Sequence, residues 1–271
     1  MIAGALIAAL PMYDDQVTAE ANDAIWAAIA ASLRERGIPA PAKLTRGGDL
    51  AAQWRSPSLV FGQTCGYPYV RELRDAVRLI ATPEYAFPGC EGMEHRSFLV
   101  RGVGDPRMRR EAFRGGVAAI NAPDSNSGMN LFRATIAPIA DGRAFFGALV
   151  TTGSHRASLE AVADGRADLA AIDCVSFALM KRLSPDLIER IAVVAESPPS
   201  PGLPFIMSAR LPEATLVSAR EALFDALADP DLADARAALG LKGARVTTPA
   251  DYERILKIER DAAAAGYPTL A

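Results

Sequence analysis

The feature that most constrains this chain is the alternation of short apolar runs with longer segments whose apolar residues recur every three to four positions. After the opening run "MIAGALIAAL", Val17, Ala21, Ile25, Ile29 and Leu33 fall on one helical face, with Asp14 or Asp15 placed to cap the helix and Gly37 to stop it. "KLTRG" reads as a second strand, "DLAAQWR" as a short helix, and "SLVFGQTCGYP" as a third strand entering a turn that contains glycine. Strands separated by helices join most simply as parallel neighbours, because the helix carries the chain back over the sheet. An α/β architecture of mainly parallel sheets flanked by helices is therefore expected.

"AVRLIATPEYAF" and "HRSFLVRG" break the alternation, being extended segments separated only by the loop "PGCEGME". They read as a crossing into a second lobe. From residue 116 the alternation resumes with "VAAINA", "SGMNLFRATIAPIA", "FFGALVTT", "SHRASLEAVADG", "ADLAAIDC" and "VSFALMKRL". A further strand, "LIERIAVVAES", runs into the proline-rich "SPPSPGLP", which forbids regular structure and marks a second crossing. "PFIMSA" then reads as a strand, with helices near 216–228, 231–239 and 249–265. Two crossings predict one lobe from 1–88 and 197–271 and the other from 89–196.

Composition narrows the function. At 271 residues and 50% hydrophobic, the chain can bury a substantial core. Its net charge of −3 gives no general attraction to nucleic acid or an anionic membrane, so any anion must be held locally. No apolar stretch reaches the roughly 18 residues of a membrane helix, so membrane insertion is not expected. Cys65, Cys90 and Cys174 show no C-x-x-C spacing and suggest neither a disulfide framework nor a zinc site. With only His95 and His155 as histidines, metal and cofactor sites are not predicted. No basic residue precedes the first apolar run, which reads as a core strand; the chain as written reads as cytoplasmic, and as periplasmic if a leader has been trimmed.

Three strand-to-helix turns carry the same chemistry: "GQTCGYPY" at 62–69, "APDSNSGMN" at 122–130 and "TTGSHRAS" at 151–158. They offer the hydroxyls of Thr64, Ser125, Ser127, Thr152 and Ser154, backbone N–H groups, and glycines that permit close approach. In open α/β sheets ligands sit beyond the carboxyl ends of strands, and a helix start presents unpaired N–H groups and the positive end of its dipole. The set suits a tetrahedral oxyanion. The same residues also cap helices for structural reasons alone, and that alternative predicts caps scattered over both ends of a sheet.

"SNSGMN" resembles the S-x-S-G helix start of the phosphate/phosphonate-binding proteins of ABC transporters, a PhnD-like branch of the type II periplasmic binding proteins. "GSHRASLEAVADGRADLAAIDCVSF" and "FGQTCGYP" are similar to other segments of that family. The resemblance implies a two-lobed solute-binding protein that closes on phosphate, a phosphonate or a phosphate ester and serves an ABC permease. It also implies that Ser125, Asn126, Ser127 and Gly128 hold phosphoryl oxygens, with Ser154 and His155 beside them and Asp173 lining the cleft. Asp173 is equally placed to cap the helix that follows it. Tyr13 and Tyr67 are candidate aromatic walls, Thr64 a further contact, Trp26 a core residue, and His95 has no assignment.

Two other readings stand beside this one. A small-molecule enzyme on the same two-lobed fold would use Cys65 as nucleophile or His155 as acid or base. A sensing domain of a regulator shares the fold, but no output domain is visible in the sequence.

Overall fold

The structure is a computed structural model that describes residues 5–271. The first four residues of the opening apolar run lie outside the described residues, and the run begins its strand at Ile7. The strands are β1 (Ile7–Ala9), β2 (Leu59–Gln63), β3 (Val77–Tyr85), β4 (Glu94–His95), β5 (Ser97–Gly102), β6 (Val117–Ile120), β7 (Ala148–Thr151), β8 (Leu169–Asp173), β9 (Ile191–Glu196), β10 (Ser200–Pro201), β11 (Phe205–Ser208) and β12 (Leu241–Arg245). The chain divides into two compact units. One takes the chain through Ala86, then Glu91–Met93 and Gly202–Tyr252; the other takes Phe87–Cys90, Glu94–Pro201 and Glu253–Ala271.

The last assignment corrects the sequence reading, which placed everything after residue 196 in the first lobe. Helix Glu253–Ala264 packs on helix Leu131–Ala140, and Ala262, Tyr267 and Leu270 complete the apolar core built by Phe113, Phe132, Ile136, Phe145 and Phe146. Buried Arg133 fastens the same segment by donating from Nη1 to the Pro268 carbonyl at 2.8 Å. The chain thus changes units once more than the two crossing regions require, between residues 252 and 253.

Both five-stranded sheets are mixed, not mainly parallel. In the first unit the order is β1-β2-β11-β3-β12; β1 and β2 are parallel, whereas β11 runs antiparallel between β2 and β3, and β12 is antiparallel to β3. In the second the order is β7-β6-β8-β5-β9, with β6 parallel to β7 and β8, and β5 antiparallel to β8 and β9. The reversed strands β11 and β5 are those that follow the crossings, so they enter their sheets without a helix to turn the chain over. "KLTRG" forms no strand: Thr45 N bonds the Ala8 carbonyl at 2.6 Å, and then Gly47 and Gly48, both at positive φ, turn the chain away.

Apolar periodicity does place the helices. Ile25, Trp26, Ile29 and Leu33 of helix Ala19–Glu35 are buried, and Trp26 sits 5.8 Å from the ring of Phe61, which in turn lies 5.2 Å from that of Phe205. Among the described residues no helix is long and apolar enough to cross a membrane.

Candidate functional site

In the second unit β7, β6 and β8 are adjacent and parallel, so their carboxyl ends share one edge of the sheet. The turns that follow them carry Asn121–Gly128, Thr152–His155 and Asp173. Here two of the three turns singled out in the sequence lie on one edge, together with the end of the Asp173 strand.

The turn after β6 enters a helix whose first turn, Asn126–Asn130, is wider than an α-turn: Asn130 N bonds the Ser125 carbonyl at 3.0 Å, and the α-helix Leu131–Ala140 continues from it. Ser125 caps this start, its Oγ accepting from Gly128 N at 2.9 Å. The Asn126 side chain donates to Ser200 Oγ at 2.8 Å and accepts from Asn130 Nδ2 at 3.0 Å, so its carboxamide holds the turn in place. Ser127 is fixed through its carbonyl, which accepts from Ser97 Oγ at 2.9 Å, and its own Oγ lies 3.0 Å from His155 Nε2. A Cβ on Gly128 would stand 1.8 Å from Asn121 Oδ1 and 3.3 Å from His155 Cε1, so only glycine lets these three residues meet.

His155 opens helix His155–Ala163, which Ser154 caps by accepting from Ala157 N at 3.1 Å. The residue is half-buried, but its Nδ1 is covered and has no hydrogen-bond partner. Burial lowers its pKa, and nearby His95 adds to this against the opposing pull of Asp173, so the ring is neutral at pH 7. A neutral imidazole has one N–H and one lone pair; with Nε2 engaged by Ser127, Nδ1 is left inside the protein unsatisfied.

Asp173 is both a cap and an ion-pair partner. Its Oδ1 accepts from Ser176 N at 2.8 Å at the start of helix Cys174–Leu183, and its Oδ2 lies 2.9 Å from His95 Nδ1. Both side chains are 3% exposed. Burial pushes the Asp173 carboxyl up, yet the His95 charge and hydrogen bond hold it down at about 2. For His95 burial works toward the neutral ring, but the Asp173 carboxylate prevails and the pKa is raised. His95 Nε2 is buried without a partner.

Sequence reasoning left His95 unassigned and did not single out Asn121, Ser97 or Ser200. Only strand pairing reveals His95: β4 and β10 form a two-stranded antiparallel ribbon in which His95 faces Ser200, the residue that anchors Asn126. For Asn121 a signal was present, since it stands directly between strand and turn in "VAAINA".

In the first unit β1 and β2 are parallel neighbours and Tyr13, Thr64 and Tyr67 follow their carboxyl ends. Tyr13 is buried, edge-on to Tyr85 with ring centroids 5.4 Å apart. It lines a cavity of about 20 Å³ with Asn22, Gln63 and Tyr85, room for one water molecule. Thr64 is fully buried, with its N–H bonded to the Pro204 carbonyl at 3.2 Å, and Tyr67 lies beneath the Arg71 guanidinium, 5.9 Å from its ring centroid. Cys65 is half-buried in this unit and His155 belongs to the other. Among the described residues no group of three or more His, Cys, Asp or Glu side chains is arranged to hold a metal ion.

A chain that passes repeatedly between two mixed α/β units has the fold of the type II periplasmic binding proteins. Known structures agree on the fold. The chain is similar to XAC2383 from Xanthomonas citri bound to ATP (16% identity, 96% of this chain and 97% of that one, TM-score 0.73). It is also similar to a binding protein component of an ABC phosphonate transporter from Pseudomonas aeruginosa (14%, 96% and 87%, TM-score 0.76) and to PhnD1 from Prochlorococcus marinus in complex with methylphosphonate (13%, 95% and 98%, TM-score 0.73). Among curated proteins none matches the chain. Residues 7–252 match the family described as ABC transporter, phosphonate, periplasmic substrate-binding protein, and the chain belongs to that family of solute-binding proteins.

Proposed function

We propose that the chain binds a small phosphorus oxyanion, a phosphonate, phosphate or phosphate ester, at the helix start Ser125–Gly128, and presents it to an ABC permease without transforming it. The observation that carries this reading is the contact of Ser127 Oγ with His155 Nε2 at 3.0 Å, at the mouth of a helix running unbroken from Asn126 to Ala140. The helix dipole and first-turn N–H groups favour negative charge there. The Ser127 hydroxyl supplies a further donor, left free when His155 donates from Nε2 to the Ser127 oxygen, and the raised pKa of His95 adds positive charge balanced by Asp173.

The enzyme alternative gains nothing from this geometry. Cys65 lies in the first unit, and a His155 working as acid or base would ordinarily be oriented by a third group on its other nitrogen. Asp173 is engaged by His95, and His155 Nδ1 has no partner. The family is a periplasmic one, which supports the export reading over the cytoplasmic one.

Thermal-shift screening with methylphosphonate, aminoethylphosphonate, phosphate, sulfate, phosphate esters and ATP tests the proposal. A ligand at about 100 times its Kd raises Tm by roughly 5–10 °C in a chain of this size. Ser127→Ala and His155→Ala should shrink that shift. No shift with any phosphorus compound, or an undiminished shift in both variants, would overturn the reading. Tyr13→Phe, Thr64→Ala and Tyr67→Phe, screened in the same way, assign or release the first unit's residues.

A further inference from the structure

Two of the three thiols lie together, one of them next in sequence to Asp173. Cys90 Sγ and Cys174 Sγ are 3.4 Å apart, whereas Cys65 belongs to the other unit. Cys174 is fully buried at the first position of helix Cys174–Leu183, and Cys90 is half-buried in the loop that leads to β4. That loop is built to lie against Cys174. Gly89 has φ of +89°, and a Cβ there would stand 2.8 Å from Cys174 Cβ and 3.0 Å from Phe98 Cζ, so no other residue permits the approach. Further along, Cys174 N bonds the Arg96 carbonyl at 3.1 Å, and His95 pairs with Asp173 at 2.9 Å. The thiol pair is one of three contacts that join residues 90–96 to Asp173 and Cys174.

We infer that Cys90 and Cys174 are a disulfide-forming pair, which on oxidation locks the loop before β4 onto the helix that begins beside Asp173. A disulfide has its sulfurs about 2.05 Å apart, so they must close by about 1.4 Å, a distance that side-chain rotation covers when the backbone already holds the thiols in contact. The family's compartment is one in which such bonds form and persist.

The oxidant is a low-molecular-weight or protein disulfide. The Cys90 thiolate attacks one of its sulfurs and the other leaves as a thiolate. Cys174 then attacks Cys90 Sγ and expels the second thiolate, which takes up the Cys174 proton. Two protein thiols are oxidised to one disulfide, and the oxidant's disulfide is reduced to two thiols. The order follows from access: the Cys90 hydrogen bond and burial both push the Cys174 thiol up, so Cys90, the more exposed sulfur, attacks first.

Incubation of the purified, native chain with oxidised glutathione, followed by thiol titration and non-reducing peptide mapping, tests this. The chain has three cysteines, and oxidation should leave one titratable thiol, on Cys65, with a Cys90–Cys174 linked peptide and a mass lower by two hydrogens. Cys65→Ser should leave none after the same treatment, whereas Cys90→Ser should form no intramolecular link. The oxidised form should melt about 5–10 °C higher than the reduced form. Three remaining thiols, a link that includes Cys65, or a stable glutathione adduct on Cys90 would each overturn the inference. Thiol counts do not depend on ligand binding, so failure here leaves the oxyanion proposal standing, and the converse holds.

Discussion

Replacing Gly128 by alanine tests the site through a single methyl group. The new Cβ would stand 1.8 Å from Asn121 Oδ1 and 2.9 Å from Asn121 Cγ, against ordinary contacts of 3.4–4 Å, so the Asn121 carboxamide has to retreat by more than an ångström. Its backbone cannot follow, because the Asn121 carbonyl is held by Gly153 N at 3.0 Å. Forcing an extra methyl into so tight a place costs about 1–3 kcal/mol, which lowers Tm by about 2–4 °C per kcal/mol at this size. The same methyl presses on His155 Cε1 at 3.3 Å and moves the ring off Ser127, so methylphosphonate affinity should fall at least tenfold, about 1.4 kcal/mol. Calorimetric titration and thermal melts of Gly128→Ala, Asn121→Ala and the double variant form a cycle. Removing the Asn121 carboxamide should restore most of the stability lost by Gly128→Ala, with a coupling of about 1 kcal/mol or more. A Gly128→Ala protein with wild-type Tm and affinity, or a double variant no better than the single one, would show that the crowding at this turn is not what demands glycine.

Ser125→Ala removes the cap on Gly128 N and should cost about 0.5–2 kcal/mol by urea denaturation, with a loss of affinity because the first turn frays. His155→Ala should leave folding cooperative but weaken methylphosphonate binding by about 10-fold, the worth of the one hydrogen bond that aims the Ser127 hydroxyl. The His95–Asp173 pair gives stability two pH limits. The Asp173 pKa is lowered from 3.8 to about 2, so its contribution is complete above pH 3.8 and is lost as pH falls toward 2, about 2 kcal/mol in all. The His95 pKa is raised above 6.5, so its contribution is complete below pH 6.5 and is lost as pH rises through the higher folded value. Asp173→Asn should flatten both arms of the stability profile measured from pH 2 to 9, and a profile unchanged by it would refute the pairing.

The helices and most strands were legible because their information is local. The periodic apolar residues of Ala19–Glu35 and the apolar runs of β2 and β8 declare their form within a dozen positions. The helix start at Ser125–Gly128 was legible too, since a cap, a glycine and a preceding apolar run are neighbours in sequence. What escaped was set by pairing at long range. β12 is short, carries charge and a glycine, and becomes a strand because Leu241–Arg245 finds the open edge of β3. The reversed directions of β5 and β11 depend on where the chain re-enters each sheet, and His95 becomes part of the site through Asp173, 78 positions away. The helical face of Glu253–Ala264 shows that it must pack on something, and does not say on what.

The repeated passage between units means that neither is a contiguous stretch of chain. β11 must insert between β2 and β3, and Tyr267 and Leu270 must arrive before the second core is sealed. Neither core can therefore close on an N-terminal stretch alone: the first waits for β11 and β12, and the second for the segment that carries Tyr267 and Leu270.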